Sequence, residues 1–486
     1  MYRLIVRFFR FVVRLFFRRV EVIGLEHLPQ DGGGILVSWH PNGMVDPGLI
    51  LTHFPMRVVF GARHGLFHVP LLGMLMKAIG TVPIYRAMDL KDMSAEDRAQ
   101  ANTRALDALA DRVVAGDYSC LFPEGDSHDQ STVTPLKTGA ARFYYRARQL
   151  AAADKPPVII PVGLHYDQKR AFRSSALVTF HPPLEIPAEL DLTPVEDEPA
   201  ATAKERCKQL TDEIDRVLRE VVHATESWEL HHLMHRARKL VRAERALRAG
   251  SQLGPTDMSE RLAGFARVWA GYHQRIESEP EAVEDLTERV REYDEDLKAL
   301  GLEDHELDRD PRLIDPWLAA ILALQVVLVF LLLPPILLVG YIVNGPPALL
   351  LLWASKRFAK REKDEASIKV LGGLVLFPMV WAGVGVGAAM FHEWLATLFG
   401  NMPDNAVQAG LFAVALSAFG GAIGMRYLRV ARETVRALKV RLTRSRRRAS
   451  IRRLRMERAE LHDALIALSE GLPLPGEVTP EGRTTL

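Results

Sequence analysis

Trp39-His40-Pro41-Asn42-Gly43-Met44-Val45-Asp46-Pro47 sets a histidine and an aspartate six positions apart, on a stretch that contains a proline and a glycine. On a helix, six steps of about 100° put the two side chains on different faces. On a strand they share a face but lie too far apart to bond, and Pro41 with Gly43 argues against a strand. A turn that folds Asp46 back onto the His40 ring is the economical solution. A carboxylate that accepts a hydrogen bond from one ring nitrogen fixes the tautomer and raises the basicity of the other, which makes a general base. Taken alone, the pair reads more simply as a surface histidine near an unrelated loop aspartate, so its surroundings must decide.

The flanking sequence supplies elements to hold such a turn. Residues 34–39 (GILVSW) read as a short buried strand, and 47–54 (PGLILTHF) as a helix with Pro47 at its first position. Between residues 20 and 190 short apolar runs alternate with helical ones, an α/β pattern. Polar residues cluster where the apolar runs end. GTVPIYR (80–86) ends on Arg86, and CLFPEGDSHD (120–129) carries Glu124, Gly125, Ser127 and His128. LKTGAARF (136–143) puts Lys137 and Thr138 before a helix, while VIIPVGLHY (158–166) is a buried strand interrupted at Pro161. Arg86 and Lys137 suit a phosphate, and the Gly125 turn could offer backbone N–H groups to an anion.

In this order the blocks HPNGMVDP, GTVPIYR, FPEGDSH and VIIPVG resemble the phospholipid/glycerol acyltransferase family, over roughly residues 20–190. The resemblance implies an α/β catalytic domain in which His40 is the base and Asp46 its partner. It implies that Arg86 and the Glu124–Gly125 turn bind the acceptor's phosphate or shape its site, and that Pro161 belongs to the acyl-donor side. The usual family spacing leaves four residues between His and Asp, whereas five stand here. That spacing, FPEGDSHD and FRSSALVTFHPPLEI (172–186) resemble the fungal-type glycerol-3-phosphate/dihydroxyacetone-phosphate acyltransferases. The third block commonly continues with Thr and Arg. Here Asp126, Ser127 and His128 follow, so Lys137, Arg173 or His128 is the expected replacement for the missing cation. The implied reaction is acyl transfer from acyl-CoA or acyl-carrier-protein, a co-substrate, to glycerol 3-phosphate. 1-Acylglycerol 3-phosphate is the alternative acceptor, and a non-catalytic lipid-binding protein the second alternative. Neither a resident cofactor nor a metal is expected; His231 and His235 are one helical turn apart, but Glu229 is not where a zinc-protease motif needs it.

The whole chain of 486 residues has Lys+Arg 62 against Asp+Glu 60, unevenly spread: 277–311 is acidic and both ends are basic. Two cysteines, Cys120 and Cys207, exclude a disulfide framework. Residues 1–20 place Arg3, Arg7, Arg10, Arg14 and Arg18 every three or four positions among phenylalanines, which predicts a basic amphipathic helix in the lipid headgroup layer rather than a span or a signal peptide. The expected organisation is then a catalytic domain over 21–190, a helical linker region over 191–312, transmembrane helices over 313–430 and a basic cytoplasmic helical tail over 431–486. Within 313–430, Pro334-Pro335 and Gly345-Pro346-Pro347 break the stretch 316–354, which can hold two crossings or a re-entrant hairpin bent at those breakers, followed by spans 368–391 and 406–428. Basic residues in 355–363 and after 426, with no Lys or Arg in 392–405, put 355–367 and the tail in the cytoplasm and 392–405 outside. With the catalytic domain expected on the cytoplasmic face as well, parity supports a hairpin over 316–354. Gly383–Gly387 and Gly420–Gly424 are spaced for close helix packing. Arg446, Arg447, Arg448, Arg452, Arg453 and Arg455 suit anionic lipid, and nucleic acid is not an expected partner. In sum, an α/β glycerolipid acyltransferase domain with an N-terminal amphipathic helix precedes a helical region and an α-helical transmembrane domain.

Overall fold

The computed structural model describes the chain except residues 30, 70–71, 86–93, 153, 196–197, 252–253, 255, 309–315, 360–363, 480–482 and 486. It separates into two compact units. The first comprises Met1–His231 with Asp257–Ser259 and Arg361–Ser367; the second holds the rest.

The first unit runs α1 (Tyr2–Phe16), β1 (Arg19–Ile23), β2 (Gly34–Ser38), α2 (Val45–His53), β3 (Val58–Arg63), α3 (Leu72–Ile79), β4 (Val82–Ile84), α4 (Ala95–Val114), β5 (Tyr118–Leu121), α5 (Gly139–Leu150), β6 (Val158–Tyr166), β7 (Ser175–Phe180) and α6 (Ala200–Val222). Its seven strands form one sheet in the order β1-β7-β6-β2-β5-β3-β4, parallel throughout except where β6 meets β7. Helices α4 and α6 cover the sheet, which is why β2, β6 and β7 read as near-continuous apolar runs. Ile35, Leu36, Ile160, Val162, Leu177 and Val178 are fully buried. Ser94 caps α4 by accepting the Asp97 N–H. Helix α6 packs on β6, so the first unit extends past residue 190, into the expected linker.

Strand β6 passes through Pro161 without interruption, contrary to the sequence reading. Pro161 pairs with Val37 in the parallel ladder, and the antiparallel ladder to β7 stops one residue later, at Val162. The missing N–H falls where that ladder ends, and the Pro161 carbonyl still accepts the His181 N–H.

Helix α1 divides its faces. Ile5, Val12, Val13 and Phe16 are buried, and α1 packs against α2 and α3. Arg10 leaves the expected cationic stripe to cap α2 by donating to the Thr52 carbonyl. On the outer face Leu4, Phe8, Phe11 and Leu15, at helical spacing, remain exposed.

The second unit is helical: α7 (Trp228–Arg248), α8 (Met258–Ile276), α9 (Pro280–Leu300), α10 (Asp304–Leu307), α11 (Pro316–Val327), a π-helical turn over Leu328–Leu332, α12 (Leu333–Ile336), α13 (Leu338–Phe358), α14 (Asp364–Leu398), α15 (Ala406–Arg446), α16 (Arg448–Ser469) and the small hairpin β8 (Glu477–Val478)–β9 (Thr484–Thr485). Leu233, Ala237 and Leu240 of α7, Leu286, Val290, Tyr293 and Leu297 of α9 and Leu454 with Leu461 of α16 share one core. The uneven charge of the sequence is reconciled here. Basic α16 meets the acidic segment: Arg453 pairs with Asp296, Arg455 donates to the Leu307 carbonyl and buried Arg458 binds Asp308 and Glu244. Arg453 and Arg455, expected to face lipid, thus each have partners within the helical unit.

Among the described residues two helices are long and apolar enough to cross a membrane, Glu365–Leu398 and Ala406–Arg444. The expected hairpin over 316–354 is absent. Gln325 bonds Thr434, Tyr427 bonds the Val329 carbonyl, Gly340 meets Gly420 and Asn344 bonds the Ser417 carbonyl. Residues 325–344 thus run one way, antiparallel to 417–434. The π turn before Pro334 and helix continuing through Pro346-Pro347 absorb the prolines without reversal. Gly420 packs closely as predicted, but Gly383 and Gly387 face open space; Gly385, between them, is the one against Gly410.

Candidate active site

Strands β2, β5 and β6 are neighbours in the sheet, and their carboxyl ends deliver the polar groups to one place. His40 follows β2, Glu124 follows β5 and Tyr166 ends β6. Loops beyond the carboxyl ends of parallel strands are where α/β sheets build sites.

The predicted turn is present. His40 Nδ1 lies 2.8 Å from Asp46 Oδ2, and Asp46, in the first turn of α2, is 0% exposed. Asp46 Oδ2 also accepts the Asn42 N–H at 2.7 Å, and Oδ1 accepts the Tyr166 hydroxyl. Three donors hold this carboxylate in one orientation at the start of the helix. With Nδ1–H given to Asp46, Nε2 is the nitrogen left to take a proton. The His40 ring stacks on Phe122, with centroids 4.1 Å apart.

Tyr166 carries no motif signal, and sequence reasoning missed it. Burial and the neighbouring Asp46 push its hydroxyl far above the usual phenol range, so it stays a donor. Its ring stacks on Phe17, just beyond α1.

Glu124 anchors the histidine rather than facing an acceptor. Its Oε2 accepts the His40 N–H at 2.7 Å, while Oε1 accepts from the His128 ring at 2.5 Å and from the Thr134 N–H at 2.9 Å. His128 closes the clamp: its own N–H donates to the His40 carbonyl, and its Nδ1 accepts the Gln130 N–H. His128 is thereby committed within the site and is not the replacement for the missing arginine. Arg173 is not either. Its guanidinium donates to the Arg14 and Phe17 carbonyls at the end of α1, and its N–H to the Phe16 carbonyl.

The Gly125 N–H, expected to face an anion, is taken by the Phe122 carbonyl. Gly125 has φ +75°, and a Cβ there would come within 2.5 Å of Lys137 Nζ. Lys137 therefore lies directly over the turn, exposed and with no ion-pair partner among the described residues. Ser127 is buried on the same turn, its N–H on the Asp126 carboxylate. Pro161 sits inside the sheet, and Arg86 lies outside the described residues. His231 rests against Trp228 and His235 against Phe265.

Two domain families match. Residues 19–165 match the family described as Acyltransferase, and residues 260–472 the glycerol-3-phosphate acyltransferase 2 C-terminal domain. Glycerol-3-phosphate O-acyltransferase 1 of Saccharomyces cerevisiae is 30% identical over 189 residues, 38% of this chain and 23% of that protein. Glycerol-3-phosphate O-acyltransferase 2 of the same yeast is 25% identical over 211 residues, 42% of this chain and 26% of that protein. The lyso-ornithine lipid O-acyltransferase of Brucella abortus is 29% identical over 156 residues, 32% of this chain and 53% of that protein. The chain spans only about a quarter to a half of the length of these relatives. Among solved structures, the 1-acyl-sn-glycerophosphate acyltransferase of Thermotoga maritima overlaps 44% of this chain and 79% of its own at 20% identity, with a TM-score of 0.30. The His40–Asp46 pair thus lies in a segment that matches the family described as Acyltransferase, and the chain continues into a segment that matches the glycerol-3-phosphate acyltransferase 2 C-terminal domain.

Proposed function

We propose that the protein is an integral-membrane O-acyltransferase that moves a fatty acyl group from an acyl thioester to glycerol 3-phosphate. The observation that carries the reading is the His40–Asp46 pair at 2.8 Å, with the buried carboxylate held by three donors. His40 Nε2 takes the proton of a glycerol hydroxyl as that oxygen attacks the thioester carbonyl. Asp46 stabilises the imidazolium that forms, as in a triad whose nucleophile is the substrate itself. The proton then passes to the departing thiolate, so no acyl-enzyme is formed. Acyl-CoA or acyl-carrier-protein serves as co-substrate, and the reaction as proposed calls for no metal or resident cofactor.

Lys137 is the proposed partner for the acceptor's phosphate, since it lies over Gly125 beside the clamp that holds His40. The exposed face of α1, apolar along Leu4, Phe8, Phe11 and Leu15 and flanked by Arg3, Arg7 and Arg14, is proposed to rest in the headgroup layer on the cytoplasmic side. A site at the bilayer surface spares the acyl chain and the product a passage through water.

The test uses purified protein in nanodiscs with labelled acyl-CoA or acyl-carrier-protein. Glycerol 3-phosphate and 1-acylglycerol 3-phosphate are offered separately, with His40→Ala as control. Product from the first acceptor, lost in His40→Ala, is the expected result. Product only from the second overturns the choice of acceptor, and an active His40→Ala protein overturns the mechanism. Lys137→Met should raise KM for the acceptor about tenfold or more, as loss of a charge-assisted bond would.

A further inference from the structure

The helical unit pairs its buried arginines with care. Arg236 binds Asp294 at 2.5 Å and Asp304 at 2.7 Å, and Arg458 binds Asp308 at 2.7 Å and Glu244 at 3.0 Å. Arg238 breaks that rule. It is 7% exposed, its buried Nε has no hydrogen-bond partner, and it has no carboxylate partner among the described residues.

Burial, then the charges of Arg261 and Arg242, lower the pKa of Arg238 to about 10, against the smaller opposing pull of Glu260 and Asp304. Arg245 lies seven residues along the same face of α7, half-buried, with Arg267 as its charged neighbour and again no ion-pair partner among the described residues. From the hairpin, Arg483 Nη2 reaches within 3.5 Å of the position a Cβ on Gly254 would take. The nearby carboxylates are already engaged: Glu260 by Arg242 at 3.0 Å, and Asp304 by Arg236 and Tyr293.

The room for Arg238 is specific. Its shaft crosses α8 at Gly264, where a Cβ would lie 2.9 Å from Arg238 Cγ and 3.1 Å from Cδ. Any other residue at 264 would push this arginine out. A glycine that admits an unpaired guanidinium is costly for stability unless something else compensates the charge.

We propose that Arg238, with the charges of Arg261 and Arg242 added to its own, forms an anion site that takes a phosphate group. A guanidinium fork in a field of like charge matches the tetrahedral oxygens of a phosphate and its double charge better than it matches a halide. The phosphate could belong to an anionic phospholipid headgroup or to a soluble phosphate ester. The site lies in the helical unit, and its readout is stability, so it stands or falls independently of acyl transfer.

The experiment follows thermal unfolding of the full chain in phosphatidylcholine nanodiscs, at ionic strength held constant with chloride. Inorganic phosphate is titrated in one arm, and nanodiscs containing phosphatidic acid are used in the other. The wild-type midpoint should rise saturably by roughly 2–4 °C in at least one arm. A rise with inorganic phosphate identifies a soluble source; a rise confined to the phosphatidic acid arm identifies the headgroup. Arg238→Met should unfold at a higher temperature than wild type without phosphate, because an unpaired buried charge is gone, and should lose the rise. Arg238→Lys, which keeps the charge but not the fork, should weaken it, and decides the matter if Arg238→Met does not fold. His40→Ala should respond like wild type. No rise in either arm, or a full rise in both arginine variants, overturns the proposal.

Discussion

Replacing Tyr166 with Phe removes one hydroxyl and leaves the ring on Phe17 in place. That hydroxyl donates to Asp46 Oδ1, on the side of the carboxylate away from His40. A buried hydrogen bond to a charged group is worth about 1.5–3 kcal/mol, which would be roughly 10- to 150-fold in rate if wholly expressed in the transition state. Asp46 keeps the Asn42 N–H and the His40 ring, so the lower end applies: about a tenfold fall in kcat with KM for the acceptor nearly unchanged. The split between kcat and KM separates positioning of the base from a loss of acceptor binding. Initial rates in nanodiscs at saturating acyl donor, with the acceptor varied, measure both quantities. An unchanged kcat would refute the role assigned to Tyr166.

The remaining expectations concern the clamp, the histidines and α1. Glu124→Gln gives one oxygen to a position where two now receive the His40 N–H, the His128 ring and the Thr134 N–H, so a buried donor is left facing a donor. It should cost about 1–3 kcal/mol of stability and lower activity as well; retention of both would mean that the clamp is dispensable. His165, His181 and His223 are held neutral by burial, His165 well below the ordinary range, His181 at about 4 and His223 at about 3. The unfolded chain takes up these protons near pH 6.5 while the folded chain refuses them, so stability present above pH 6.5 is lost as pH falls towards 4, by up to ~1.4 kcal/mol per pH unit for each histidine. Unfolding midpoints at descending pH should show this slope, and His165→Gln should flatten it. Phe8→Ser with Phe11→Ser, on the outer face of α1, should leave the unfolding midpoint within about 1–2 °C of wild type, as surface substitutions do. The same pair should weaken binding of the isolated activity to anionic vesicles, measured as the lipid concentration for half-maximal rate; an unchanged value would remove α1 from the membrane.

What was legible in the sequence was local. The apolar runs gave β2, β5 and β6, and the bend between them gave His40 and Asp46, because a strand's burial and a turn's chemistry are written in adjacent residues. Glu124 was visible as a motif residue, but not its task, since the His40 N–H it holds lies 84 positions away. Tyr166 is 120 positions from Asp46 and is placed by the pairing of β6 with β2, which no residue near either one announces. Arg173 misled for the opposite reason. A cation beside a matching motif reads as a phosphate ligand, yet three carbonyls left unsatisfied at the end of α1 claim it first.

The same competition explains the missing hairpin and the basic tail. Prolines mark a reversal only where the freed carbonyls have water to meet. Over 316–358 a π turn and polar groups such as Asn344, bonded to both Ser417 and Trp381, let the chain run on. Arginines likewise mark lipid contact only where the fold supplies no acid, and α16 finds its acids in α9 and just beyond α10. By that reasoning a cation's role is read from what the fold leaves unpaired. Lys137 over its glycine and Arg238 across Gly264 have no carboxylate partner among the described residues, and each stands where a side chain at the glycine would meet it. Restoring that side chain is a direct check. Gly264→Ala should displace Arg238 and abolish the phosphate response without touching acyl transfer, whereas Gly125→Ala, strained at φ +75° and pressed on Lys137, should impair acceptor use and spare the phosphate response.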